Sequence, residues 1–388
     1  MQRVIGIDAR MYGPRWGGGG LGRYVEELVQ GLQNIDTEHR FVLFLKKENF
    51  DACKIHNNRF EKVLADVHWY TLKEQLLMPK LIDRHQLDLV HYPHWNVPLY
   101  SKTPFVVTIH DLILLEDPHS AHATTLDPIR YVIKRAGYHR VLRHAIESSR
   151  TIIAVSEFVR ESISKHFPKI PQAKIHTIYE GVSQTQRLND STTPARTTDV
   201  VQSGGQQLPV TPPYFLYVGS AYPHKNLESL LHAFSFFVKK YPDVKLVLVG
   251  KEDAFYKRLK KEMEEIDIDE QAVVFTGFVP DDVLHALYDH TSLYVFPSRH
   301  EGFGLPPLEA MQHGVPVASS NRGPLPEILG DAALYFNPDD LEEMVAVMER
   351  ALKDEALRKE LIQKGSSQVQ RYRWSTMAEK IHSLYGAS

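Results

Sequence analysis

Twenty residues constrain this chain more than any others: Pro297 to Pro316 reads P-S-R-H-E-G-F-G-L-P-P-L-E-A-M-Q-H-G-V-P. They follow the apolar run Ser292-Leu-Tyr-Val-Phe-Pro297, too short for a helix and read as a buried strand, while 308–313 reads as a short helix stopped by Gly314. A loop leaving the carboxyl end of a parallel strand is where open α/β sheets bind ligands. Glu301 and Glu309 bracket this turn, and Gly302 and Gly304 between them let the backbone approach a ligand closely. Pro306 and Pro307 suit a first helical turn but carry no N–H, so donors for an anion are confined to residues 302–305 and Leu308.

The rest of the chain repeats the alternation of strand and helix. Residues 4–8, 41–45, 60–65, 87–91, 105–109, 151–155 and 174–178 read as strands with helices between them. A second series, 214–219, 244–250, 273–276, 315–319 and 333–336, follows the same pattern. Such alternation specifies α/β architecture with parallel, doubly wound sheets. At 388 residues the chain exceeds one ordinary core, and a division into domains over 1–183 and 214–373 is expected. Between them, at 184–213, Ser, Thr, Gln, Gly and Pro replace hydrophobic spacing, the mark of a linker or loose insertion. Residues 374–388 read as a final amphipathic helix.

A single cysteine, Cys53, excludes a disulfide framework and fits a reducing compartment. No apolar run approaches the roughly 20 residues that span a bilayer, and residues 1–8 reach an acid too early for a signal peptide, so a cytoplasmic location is expected. Residues 1–185 hold 24 Lys+Arg against 20 Asp+Glu, a net of +4, and the remainder 21 against 28, a net of −7. The first half is therefore the better candidate for an anionic partner, with no nucleic acid expected. Its helix over 127–150 carries Arg130, Lys134, Arg135, Arg140, Arg143 and, just past its end, Arg150 against Glu147, with Tyr131, Val132, Tyr138, Val141 and Leu142 as apolar positions. That basic amphipathic character fits either a solvated face packed on the sheet or contact with anionic lipid or a lipid-diphosphate acceptor.

Several loops at strand ends carry candidate chemistry. After the first strand, Trp16 to Arg23 is rich in glycine and leads into a helix N-terminus, a common way to meet phosphate. Gly17, Gly19 and Gly22 match G-x-G-x-x-G, yet eight residues separate them from the strand, and the next strand ends in Lys46-Lys47 rather than an acid. Lysines would suit a 2′-phosphate, so a dinucleotide site stays open on the residues alone. His110 closes the apolar strand Phe-Val-Val-Thr-Ile and is placed to act as donor, acceptor or base. Tyr92, His94 and Trp95 follow the preceding strand and are candidates to line an acceptor cleft. Lys225, in the turn before a helix, supplies a compact charge within reach of a phosphate. Asp281-Asp282 reads as a helix cap, and no metal is expected.

The string from Glu301 through Pro316 resembles the E-x7-E signature of retaining glycosyltransferases of family 4, group 1, and the chain as a whole resembles bacterial mannosyltransferases of glycan assembly. The resemblance implies a GT-B fold: two facing Rossmann-like domains with an interdomain cleft, the acceptor held mainly by the first, the donor by the second, and the last helix crossing back to the first. It implies that Glu301 contacts hydroxyls of the donor sugar, that the backbone of Phe303, Gly304 and Leu305 meets sugar and phosphate, and that Glu309 holds the ribose. Gly18, Gly19 and Gly20 would contact the diphosphate, His110 would approach the sugar, and the backbone near Val279 would meet the nucleobase. Ser220 stands where an arginine often follows the glycine, which leaves Lys225 as the main basic contact and His224 or another group as a replacement. The expected catalytic set is Glu301, His110 and Lys225. The implied reaction moves a hexose from a nucleotide sugar, GDP-mannose favoured and UDP-glucose next, to a hydroxyl of a glycan or lipid-linked acceptor. Configuration would be retained, without metal or cofactor. Two other functions suit the same residues: a GT-B nucleotide-sugar epimerase, which needs no acceptor, and a non-catalytic sugar-nucleotide-binding protein.

Overall fold

Alternating apolar runs and helices build two parallel sheets in the computed structural model, which describes residues 2–117, 128–182, 202–203, 206–207 and 210–387. The chain begins with β1 (Val4–Asp8), α1 (Pro14–Gly17), α2 (Gly20–Gln33), β2 (Arg40–Leu45), α3 (Lys47–Phe50), β3 (Phe60–Leu64) and α4 (Leu72–Asp83). It continues through β4 (Leu89–Tyr92), β5 (Phe105–Ile109), α5 (Ile113–Glu116), α6 (Pro128–Ser148), β6 (Thr151–Ala154), α7 (Glu157–His166) and β7 (Ile175–Thr177). After a small ribbon of β8 (Gln202–Ser203) and β9 (Gln206–Gln207) come β10 (Tyr214–Val218), α8 (Leu227–Val238), β11 (Lys245–Val249), α9 (Ala254–Glu265), β12 (Val273–Gly277) and α10 (Asp281–His290). The last elements are β13 (Leu293–Phe296), α11 (Leu305–Gln312), β14 (Val317–Ser320), α12 (Leu325–Leu329), β15 (Ala333–Phe336), α13 (Leu341–Lys353), α14 (Glu355–Val369) and α15 (Trp374–Ala387).

Two compact units emerge. Among the described residues, unit 1 holds 2–116, 128–181 and 372–387, and unit 2 holds 117 and 182–371. The sheet of unit 1 runs β3-β2-β1-β4-β5-β6-β7, all parallel, so the strand order reverses between β1 and β4. In unit 2 the order is β12-β11-β10-β13-β14-β15, also parallel, and the reversal lies between β10 and β13. Ile5, Leu89, Val106 and Ile152 in one sheet, and Leu216, Leu246, Val295 and Val317 in the other, have no exposed surface. Helices cover both faces of such sheets, which is why these strands read as continuous apolar runs. Each aliphatic side chain so buried contributes about 1.5–3 kcal/mol before entropic losses. The fold class is that of two Rossmann-like domains, each built on a parallel, doubly wound sheet.

Helix α15 completes the core of unit 1. A Cβ on Gly31 of α2 would lie 2.5 Å from the Ala378 Cβ, and one on Gly181 would lie 2.2 Å from the Trp374 nitrogen. Only hydrogen fits at either place. Tyr385 shares a 2.7 Å hydrogen bond with His91 Nδ1, whose Nε2 lies 2.9 Å from the Thr108 hydroxyl, itself 3.0 Å from Tyr24. Burial, aided by the charge of His110, pushes His91 down to about 3, so this relay is built on a neutral imidazole.

The structure differs from the sequence-based elements in a few places. β4 begins at Leu89 rather than residue 87 because Gln86, at φ +48°, turns the chain first. The four-residue helices α1 and α3 carry too little periodicity to register in sequence. α11 starts at Leu305, with both prolines in its first turn and Gly304 at φ +112° before it. Helix α6 does not form one apolar face: Leu142, Ala145 and Ile146 are buried, whereas Val132 and Ile133 are 63% and 66% exposed. Its carboxyl half docks on the sheet, and residues 132–137 are open to solvent. Asp127 and the side chains of Arg130 and Tyr131 lie outside the described residues. So does most of the expected linker 184–213, apart from the small ribbon and the residues from 210 onward.

Candidate active site

In unit 2 the loops after β10 and β13 flank the point where strand order reverses, the usual ligand crevice of such sheets. Lys225, in a short turn over Pro223–Lys225, and Glu301, just beyond β13, meet there. Lys225 Nζ donates to Glu301 Oε1 at 2.7 Å and to Oε2 at 2.9 Å. The side chains are 19% and 11% exposed, so the pair is largely withdrawn from water and gains more from contact than a surface pair would. Asn226 explains why these loops meet. In left-handed conformation at φ +60° and fully buried, it donates from Nδ2 to the carbonyls of Pro297 (3.2 Å) and Pro338 (2.8 Å). A backbone bond from Arg299 to the His224 carbonyl, 2.8 Å, adds a second tie.

Around this pair the expected donor residues take different positions. Phe303 and Leu305 are buried, and Gly304 bends the backbone where a Cβ would come within 2.9 Å of Leu325. Glu309, half-buried on α11, accepts from the Tyr288 hydroxyl at 3.4 Å. Ser220 offers no cation, and its carbonyl is taken by the Tyr217 hydroxyl at 2.8 Å. His224 does not replace the missing arginine as a charge: burial, and then the neighbouring Lys225, push it down to about 4, leaving a neutral ring near pH 7. Val279 sits in the loop after β12, the edge strand two places from β10.

In unit 1 the glycine loop after β1 divides by function. A Cβ on Gly17 would strike the Met11 carbonyl at 1.9 Å and one on Gly22 the Gly13 carbonyl at 2.3 Å, so these two serve backbone packing. Gly18 and Gly19, at φ +80° and +72°, have open space beside them and, with Gly20, are exposed at the amino end of α2, which has no side-chain cap. Helix α1 occupies the space between strand and loop, and Lys46, after β2, is tied to Glu48 and lies 4.7 Å over the Trp69 ring. Neither feature suits a dinucleotide site.

His110 is held at both ring nitrogens. Nδ1 donates to Glu180 Oε1 and Nε2 to the Pro93 carbonyl, each at 2.8 Å, which requires the doubly protonated ring. Burial opposes that charge, but the Glu180 carboxylate outweighs it and the pKa is raised. Two acceptors facing the His110 ring favour its charged form in this arrangement. Its contribution to stability is therefore complete below the unfolded value of about 6.5 and lost as pH rises through the folded value. Urea denaturation at about pH 6 and pH 9 is expected to show this loss in the wild type and to show it much reduced in Glu180→Gln.

Tyr92 belongs to the core, 1% exposed against Phe105, beneath the loop that bears His94 and Trp95. Burial, with the charge of His110, pushes half-buried His94 down to about 3. Trp95 stands between Tyr70 at 5.2 Å and Tyr138 at 4.8 Å, forming an aromatic wall. Beside it a small hollow is bounded by Asp8, Arg10, Trp69, His94 and Asn96. Arg10 is 2% exposed and bridges Asp8 (2.7 and 2.6 Å) and fully buried Glu74 (2.6 Å), while Asn49 donates to the carbonyls of Arg10 and Tyr12. Asn49, Glu74 and Asn226 escape sequence reasoning because their partners are remote, and Arg10 because its neighbour Asp8 gives no hint of the distant Glu74; the only signal is Asn226 in the run Pro223-His224-Lys225-Asn226. Among the described residues, no group of three or more His, Cys, Asp or Glu side chains is placed to hold a metal ion.

Residues 18–186 match the family described as Glycosyltransferase Family 4, and residues 202–368 match Glycosyl transferases group 1. O-antigen chain mannosyltransferase B of Escherichia coli is 28% identical, over 94% of this chain and 95% of that protein. The serotype-specific mannosyltransferase WbdA of Escherichia coli is 33% identical over 60% of this chain, a match that spans only 28% of WbdA. Among solved structures, sucrose-phosphate synthase from Thermosynechococcus elongatus aligns with a TM-score of 0.74 at 20% identity, over 99% of this chain and 98% of that one. Anabaena HepE in complex with UDP-glucose aligns with a TM-score of 0.73 at 18% identity over the whole of both chains.

Proposed function

This chain belongs to the group 1, family 4 glycosyltransferases, and from that membership we propose that it moves a mannosyl group from a nucleotide sugar to a hydroxyl of a growing glycan. The observation that carries this reading is Lys225 held on both oxygens of Glu301 beside the Gly304 bend. A cation suited to a diphosphate and a carboxylate suited to sugar hydroxyls share one strand edge, with Glu309 further along α11 for the ribose. The names of the relatives favour mannose and an acceptor such as an O-antigen chain. The aromatic wall around Trp95 is assigned to that acceptor, since flat rings cover the apolar faces of sugars.

In the transfer, the bond from the anomeric carbon to the diphosphate oxygen breaks and its electron pair leaves with the phosphate. The acceptor oxygen bonds to the same face, and its proton passes to the departing phosphate, so configuration is retained. Lys225 stabilises the charge that develops on the leaving group, a role that asks for no metal. The test is to incubate the protein with GDP-mannose or UDP-glucose, with and without polysaccharide acceptor, and follow nucleoside diphosphate and anomeric configuration. Acceptor-dependent release from GDP-mannose with retention, undiminished by EDTA, is expected. Epimerised donor without acceptor, or binding without turnover, overturns the reading.

A peripheral membrane site is part of the same proposal. Val132 and Ile133 project beside exposed Lys134 and Arg135 on a helix half that the core does not use, and no helix among the described residues is long and apolar enough to span a bilayer. Each basic residue near an anionic surface is worth about 1 kcal/mol. Sedimentation with anionic vesicles at low salt is expected to exceed that with neutral ones; equal sedimentation leaves α6 a solvated face.

A further inference from the structure

The ion pair between Lys225 and Glu301 joins two parts of the proposed donor site that act on different parts of the donor, and this inference rests on that reading. Glu301 is 11% exposed, so water alone satisfies it poorly. Both of its oxygens depend on one ammonium group. A diphosphate arriving by itself either takes Lys225 and strands this carboxylate, or settles beside a carboxylate of like charge. Either outcome is unfavourable in a partly desolvated site. An intact nucleotide sugar avoids both, because its diphosphate takes Lys225 while its sugar hydroxyls donate to Glu301.

We propose that this pair is an exchange switch: Glu301 holds Lys225 in the empty site, releases it only to a donor that brings hydroxyls in return, and reclaims it once the sugar has gone. The site thereby discriminates against the free nucleoside diphosphate, and the return of Glu301 to Lys225 expels that product after transfer. The residues that could compete with this exchange are not cations of the same kind. His224 beside Lys225 is neutral, and Arg299 donates to Asp339 at 2.8 Å.

The experiment is calorimetric titration of the wild type, Glu301→Gln and Glu301→Asp with GDP and GDP-mannose, and in parallel with UDP and UDP-glucose. Glu301→Gln keeps partners for sugar hydroxyls but frees Lys225, so free diphosphate is expected to bind at least about tenfold more tightly while the intact donor changes by less than about threefold. Glu301→Asp keeps the charge and is expected to leave the weak diphosphate binding in place. In a Lys225→Gln background the gain from Glu301→Gln is expected to fall below about threefold. An equal gain with the lysine absent reduces the effect to repulsion through space and overturns the exchange. So does a Glu301→Gln protein that binds the diphosphate no better than wild type. If no variant, wild type included, binds any of the four nucleotides, the donor-site reading falls together with the switch.

Discussion

Glu301→Gln is expected to lower kcat by about 10- to 150-fold, whereas Glu309→Gln is expected to raise KM for the donor by a similar factor with kcat little changed. The difference follows from what each carboxylate would touch. In the proposed site Glu301, released from its contact with Lys225, would face the sugar, whose charge and geometry change on the way to the transition state. Glu309 lies further along α11, half-buried against Tyr288, and in the proposed site would hold the ribose, which alters little during reaction. Losing a contact made equally in both states removes uniform binding and appears in KM; losing one that strengthens in the transition state appears in kcat. Both constants should be taken from nucleoside diphosphate release, once circular dichroism shows the variants folded. The assignment is reversed if Glu301→Gln moves only KM and Glu309→Gln only kcat, and it is lost if neither constant moves.

Arg10→Met is expected to destabilise unit 1 by about 3–5 kcal/mol, because it leaves two carboxylates in the core without their shared partner. Arg10 donates to Asp8 and Glu74 and reaches the Val67 carbonyl at 3.1 Å, while Glu74 also accepts from Asn96 at 2.6 Å and from the Tyr70 backbone at 3.0 Å. Burial already raises the Glu74 pKa, and only Arg10 and these donors hold it down. A raised folded pKa means stability that is present at low pH and lost as pH rises through that value. The penalty of Arg10→Met is therefore expected to grow from acid to neutral pH, and Glu74→Gln added to it is expected to restore part of the loss. Urea midpoints across that range decide the matter; a flat, small penalty would mean that the network adds little beyond a solvated ion pair.

The residues that were legible in sequence are those whose meaning is local. The E-x7-E string, the glycine loop and the histidine at the end of β5 each declare themselves within a few positions, and apolar strand runs give the parallel sheets. What escaped depends on partners far along the chain. Lys225 and Glu301 are 76 residues apart, Arg10 and Glu74 64, and His110 and Glu180 70, so no window of sequence displays the pairing. Asn226 belongs to the same class, for its use lies in the carbonyls of Pro297 and Pro338. Helix α6 left two readings open, a solvated face packed on the sheet or contact with anionic lipid, and its burial differs between its halves. Apolar residues every three or four positions imply a buried stripe only where something covers them, and the sheet reaches only the carboxyl half.

The return of the chain to unit 1 has a consequence for biosynthesis. A ribosome releases β1 to β7 long before residues 372–387, yet Tyr385 is needed to satisfy buried His91, and Trp374 and Ala378 fill the spaces left by Gly181 and Gly31. The unit translated first is thus the one sealed last, and until α15 arrives it exposes apolar groove and unpaired polar groups on the nascent chain. Unit 2 has all of its strands in one uninterrupted stretch and meets no such delay. During synthesis the cell therefore holds a half whose closure waits on the final turns of helix, an interval in which chaperone binding or premature release would act on unit 1 before unit 2.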